Sequence, residues 1–179
     1  LKIVVGHASG TVSVDVDYDA WREGFGGLLS GRNNMPYVDF DILIPDGASL
    51  DVETHKSDFD IHAPAGEVEL ETHKGNGSIV GVRSDIEIET HKGNVDVEVL
   101  EMGDIKVETH KGNVKFVVHG PANFKVRGES HKGNFHFSGI DVPVNREDRE
   151  VSISHTVGTG KNSVKLETHK GDISFEFVD

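Results

Sequence analysis

Six histidines, His55, His73, His91, His110, His131 and His169, each stand two residues after a glutamate and one residue before a lysine. Residues two apart on an extended strand share a face, so each Glu–His pair sets a carboxylate beside an imidazole. That donor pair suits zinc, copper or nickel. Neighbouring strands of a sheet lie about 4.8 Å apart, so stacked copies would let ligands from two or three strands converge on one ion. The densest group, and the candidate metal site, is Glu71, His73, Glu89, His91, Glu108 and His110. A second reading is electrostatic: a glutamate column repels itself, and His with Lys56, Lys74, Lys92, Lys111, Lys132 and Lys170 relieves it through cross-strand pairs worth roughly a few tenths of a kcal/mol each. A flat β face also lacks the outer-shell groups that orient ligands in evolved metal sites. Protonating all 11 histidines would move the formal charge from −13 to −2, and stacked imidazolium would strain such a column near about pH 6.

These residues belong to one phrase, ETHKGN, found at Glu71–Asn76, Glu89–Asn94 and Glu108–Asn113, with variants at Glu53–Asp58, Glu129–Asn134 and Glu167–Asp172. Successive phrase histidines are 18, 18, 19, 21 and 38 residues apart, the last interval being two ordinary steps. Such a period is too short for a domain and right for one coil of a solenoid.

Within the coil Ile86–Ile105, Ile86, Ile88 and Thr90 alternate with Glu87, Glu89 and His91, the period of a strand with one buried face. After the Lys92–Asn94 corner, Val95, Val97 and Val99 resume the alternation. The other coils keep this register, from Val68, Leu70 and Thr72 with Ile79 to Val164, Leu166 and Thr168 with Ile173, Phe175 and Phe177. The pattern predicts an all-β, single-stranded parallel β-solenoid with two stacked sheets and 18–21 residues per coil. Gly75, Gly93, Gly112, Gly133 and Gly171 fall where the chain changes sheets, which predicts positive φ. Asn76, Asn94, Asn113 and Asn134 beside them predict a side-chain amide ladder.

The 179 residues read as one domain: N-terminal strands and cap over 1–48, regular coils over 49–140, closing coils over 141–179. Lys2–Val5 and Thr11–Asp17 predict a hairpin around Gly6–Gly10, and Tyr37–Ile44 a further strand. Trp21–Asn34 reads as a loop or short helix capping the first coil, with Trp21 as its plug. Glu150–Thr156 and Ser163–His169 read as two paired strands about a glycine-rich turn, and His155 falls outside the ladder.

Thirty-one acidic against 18 basic residues give a net charge of −13, which argues against nucleic acid as a partner. Cysteine is absent, so no disulfide or zinc-thiolate framework is expected. No apolar run reaches the roughly 18 residues of a membrane span, and no signal peptide is visible. The leucine start is expected of a processed or excised piece whose leader or anchor lies elsewhere.

The stretch Asp39–Ile61, an extended strand ending in Pro45 and followed by a first coil, is similar to the opening of the repeats in the toastrack family of bacterial adhesin-type β-solenoid domains. The phrase Glu89–Val95 resembles that family's strand, Thr-x-x-Gly-Asp/Asn, strand unit, and Gly158–Phe177 resembles its closing coil. The resemblance covers 38–179 and implies a β-solenoid from a bacterial envelope or extracellular protein, in a family without a defined biochemical activity. The uniform His–Lys pair departs from it, since small polar residues are usual there.

No HExxH, nucleophile elbow or phosphate loop is present, and the carboxylates run along a face instead of facing each other across a cleft. The expectation is therefore a non-enzyme. Thr54, Thr72, Thr90, Thr109 and Thr168 alternate in phase with buried Val and Ile, so they should point inward, which disfavours an ice-binding face. What remains is a structural, adhesive or recognition module with a protein or glycan partner, self-associating where solenoid ends stay open. Divalent-metal binding is the alternative.

Overall fold

The computed structural model describes residues 2–8, 11–17, 38–45, 47–62 and 66–178. Contacts divide the chain into two compact units, Leu1–Leu43 and Ile44–Asp179. In the first, β1 (Lys2–Ala8) and β2 (Thr11–Asp17) pair antiparallel from Lys2↔Asp17 to Ala8↔Thr11. The expected hairpin is there, with β1 running three residues further than Val5. Residues 38–44 hold no strand, contrary to expectation, and the Trp21–Asn34 cap lies outside the described residues.

The second unit begins with a coil of β3 (Leu50–Thr54) and β4 (Phe59–His62). Then come β5 (Val68–Lys74) with β6 (Gly77–Val82), β7 (Ile86–Lys92) with β8 (Val95–Val99), β9 (Ile105–Thr109) with β10 (Val114–His119), and β11 (Phe124–Ser130) with β12 (Phe135–Ser138). A hairpin of β13 (Asn145–Glu147) and β14 (Glu150–Val157) precedes the last coil, β15 (Asn162–Thr168) with β16 (Ile173–Val178). The first strands of the coils join one sheet and the second strands the other, each in parallel register.

Alternation dictates the core. Ile86, Ile88, Thr90, Val95, Val97 and Val99 are buried, and so are the equivalent positions of the flanking coils except Gly77, which is half-buried. Each coil brings three inward residues from each sheet, too few to bury themselves, so every coil depends on the two it touches. The threonines end the inward columns, as expected. Thr109 and Thr168 hold the corner by donating to the Gly112 and Gly171 carbonyls and accepting from the N–H groups of the same glycines. Ser130 accepts from the Gly133 N–H at 2.8 Å in the same way.

Stacking does not follow chain order. The second-strand sheet runs β12-β16-β10-β8-β6-β4, and the first-strand sheet β13-β14-β11-β15-β9-β7-β5-β3. The last coil therefore slots between the coils of β9–β10 and β11–β12, instead of closing the end of the stack. Seven residues separate Val118 from Val126, against five between the equivalent Val99 and Ile105, and the longer link steps across the vacated level. The interval of 38 is the β13–β14 excursion. β14 pairs antiparallel with β11, on the side away from β15, so the expected pairing of Glu150–Thr156 with Ser163–His169 is not formed. Asn123 closes the crossover, accepting from the Thr159 N–H at 3.0 Å and the Lys161 N–H at 3.1 Å.

Aromatic packing matches the inserted level. Phe116 and Phe175 stack with ring centres 4.6 Å apart, Phe175 and Phe137 at 5.3 Å, and Phe124 and Phe177 at 5.5 Å. The three rings Phe116, Phe175 and Phe137 form one column in the order of levels, not of sequence.

Candidate functional site

Because every coil repeats the register of the last, the outward residues of the phrase also form columns. The imidazoles stack face to face in the order His55, His73, His91, His110, His169, His131. Ring centres lie 4.8, 4.7, 4.7, 4.9 and 5.2 Å apart, and the planes are within 14° of parallel. Beside them the carboxylates run Glu53, Glu71, Glu89, Glu108, Glu167, Glu129. The expected candidate residues Glu71, His73, Glu89, His91, Glu108 and His110 are thus brought into two adjoining files. Among the described residues, no three His, Asp or Glu side chains meet in a group that could hold a metal ion.

Lys74 and Lys92 are paired in register, and Lys111, Lys170 and Lys132 each donate a backbone N–H to the phrase-histidine carbonyl of the preceding level. All six phrase lysines are exposed. Ion pairs among the described residues join Arg83 to Glu101 at 2.6 Å, Lys106 to Glu87, Lys115 to Glu176 at 3.2 Å and His119 to Glu98 at 2.9 Å. None involves a phrase lysine, so the expected Lys–Glu relief of the glutamate column is absent among them. Further out on the same sheet, Asp51, Glu69 and Glu87 give way to Lys106, Lys165 and Arg127, which concentrates positive charge toward the β9, β15 and β11 levels.

The corner glycines do not take positive φ; that conformation falls at Gly47, Gly81, Gly120, Gly139, Gly158 and Gly160. Their role is close approach. A Cβ on Gly93 would overlap the Gly75 carbonyl oxygen, and the same collision links Gly112 to Gly93, Gly171 to Gly112 and Gly133 to Gly171. The neighbouring Asx residues form a ladder of a different kind from the one expected. Each side-chain Oδ1 accepts the backbone N–H of the next level: Asp58 from Asn76 at 2.8 Å, Asn76 from Asn94 at 2.9 Å, Asn94 from Asn113 at 3.2 Å, Asn113 from Asp172 at 2.9 Å, and Asp172 from Asn134 at 2.8 Å. Arg146 closes the series with a donation to Asn134 Oδ1 at 2.7 Å.

A groove of about 530 Å³ opens at the end of the Glu and His files, between Glu108, Glu129 and Glu167 and the hairpin residues Glu147, Glu150 and Ser152. The hairpin residues escaped sequence reasoning because no repeat or motif marks them; only the fold-back of β14 onto β11 brings them there.

Loss of solvation, then neighbouring imidazoles and lysines, lowers the pKa of His73, His91, His110 and His169 below the ordinary 6.5. Well above pH 6.5 these rings are neutral whether the chain is folded or not. As pH falls through 6.5 the unfolded chain takes up protons first, so folding is progressively penalised until the lowered pKa values are passed. Urea midpoints are therefore expected to fall between pH 7.5 and pH 5.5, with less fall in a His73→Gln/His91→Gln/His110→Gln variant. An equal fall in both would assign the pH response to other groups.

Stacked parallel coils with a threonine-lined corner and outward polar files define a β-solenoid domain of the repeat class. The Toastrack DUF4097 family matches residues 41–176, and the chain belongs to that family. No curated protein and no solved structure matches the chain. No helix among the described residues is long and apolar enough to cross a membrane.

Proposed function

We propose that this domain is a non-enzymatic structural, adhesive or recognition module of the bacterial envelope or extracellular space. The observation that carries the reading is the six-level register of identical outward side chains, a rigid surface that repeats one chemical group at each coil. The carboxylates of Glu53, Glu71 and Glu89 stand in file along an open face, whereas a glycosidase sets a pair across a cleft. Among the described residues, only the groove beside β14 places Glu147 and Glu150 opposite Glu129 and Glu167. The test is binding of the immobilised domain to a panel of purified matrix proteins and of neutral and acidic glycans, with the glycans assayed afterwards for new chain ends. Saturable binding of a panel member without cleavage supports the reading. Cleavage of any glycan, or no binding across the panel, counts against it.

Divalent-metal binding along the same files is the second reading, favoured by the 4.7 Å separation of His73 from His91 and of His91 from His110. Small side-chain rotations would be needed to aim neighbouring donors at one ion. Zinc and nickel titration of the chelator-stripped domain separates the readings: stoichiometric binding lost in His91→Ala and His110→Ala supports a metal module.

A further inference from the structure

The six phrase lysines form no ion pair among the described residues, and alone among the cations they recur at every level of the stack. Lys56, Lys74, Lys92, Lys111, Lys170 and Lys132 stand one per level along the corner, a line of about 24 Å at the sheet spacing. Exposed like charges at that spacing repel one another, and no ion pair among the described residues relieves them. We propose that this ridge binds a linear acidic polysaccharide carrying one carboxylate per sugar, laid along the solenoid axis. The inference rests on the reading of the domain as a recognition module and names its partner.

The choice of polymer follows from three features. An extended glycan advances by roughly one coil spacing per sugar, so successive carboxylates meet successive ammonium groups with little distortion of either partner. The ridge cations are all lysine, compact point charges on flexible stems that demand no fixed geometry of the anion and so can follow a row of carboxylates. The adjoining imidazoles spend their faces on one another and leave their edges, one donor and one acceptor per neutral ring, for sugar hydroxyls. Single-stranded nucleic acid needs open aromatic faces to stack its bases. From His73 to His169 both faces of every ring are covered.

The net charge of −13 does not cancel the ridge at contact range. Exposed charges are screened beyond about 8 Å at physiological salt. The file on the corner side of the lysines is neutral at Asn76, Asn94, Asn113 and Asn134 and carries carboxylates at its Asp58 and Asp172 levels, where Asp172 is engaged by the Asn134 N–H. The glutamate file lies on the opposite side, past the imidazoles, and sets the sign of a second variant.

Calorimetry or interferometry with polygalacturonate, at low and at physiological salt, tests the proposal. Saturable, salt-weakened binding is expected, weaker by roughly tenfold or more in Lys92→Gln/Lys111→Gln/Lys170→Gln. It should be unchanged in Lys115→Gln on the other sheet and tighter in Glu89→Gln/Glu108→Gln/Glu167→Gln. The glutamate variant keeps the test informative should the lysine variant fold poorly. Absence of binding, an unaffected lysine variant, a glutamate variant that binds no tighter, or oligodeoxythymidine bound as tightly as polygalacturonate would each overturn the inference. A domain that ignores polygalacturonate yet binds another member of the panel overturns this inference alone and leaves the recognition reading standing.

Discussion

Phe175→Ala is expected to lower the free energy of unfolding by about 3–5 kcal/mol, seen as a large drop in urea midpoint. Phe175 is 2% exposed and stacks on Phe116 and Phe137, one from each of the two levels it separates. Truncation leaves a cavity walled by rings that belong to three coils, and the backbone ladders on both sides hold those coils apart, so the space cannot close. The effect should exceed that of Phe177→Ala, whose side chain is only partly buried. Equal effects at the two positions would mean that the inserted coil does not depend on this column for its seat.

Gly112→Ala is expected to cost about 3 kcal/mol, at the upper end of overpacking effects. The added methyl group meets the Gly93 carbonyl oxygen, a backbone atom fixed by the ladder on either side, so relief requires two levels to separate. Gly47 provides the contrast, since it has φ +77° and nothing within 4 Å of a built Cβ. Alanine there pays only for the left-handed conformation, about 1–2 kcal/mol. Matched denaturation curves distinguish the two causes. A Gly112→Ala midpoint at or above that of Gly47→Ala would refute close approach as the reason for the corner glycines.

Much of this architecture is legible in the chain because a strand's period is local. Ile86, Ile88 and Thr90 point inward, and Glu87, Glu89 and His91 outward, for reasons that involve only the pleat. The near-constant interval of 18 or 19 residues then converts each position into a column. That is why the imidazole stack, the carboxylate file and the inward threonines stand where they were expected. The corner glycines sit where the pattern places them, yet close approach and not φ requires them, because a sequence marks the need for a missing side chain without saying whether φ or a neighbour demands it. The Asx ladder shows the same limit: the spacing predicts stacked amides, but which group each oxygen accepts from depends on the offset between levels.

By itself the sequence determined the coil, its two faces and the chemistry repeated along its edge, since each follows from alternation and spacing within some twenty residues. The tertiary structure alone decided the order of the levels. The 21-residue step from His110 to His131 reads equally well as a small insertion in one level or as a passage across two, and the choice rests on contacts between distant segments. Those contacts seat Phe175 between Phe116 and Phe137, and His169 between His110 and His131. They also lay β14 along β11, which gives the acidic groove its second wall. The physical reason is that every level presents nearly the same backbone edge. Register is therefore specified locally, whereas the identity of the neighbour is settled by side-chain packing in the core and by the length of the links.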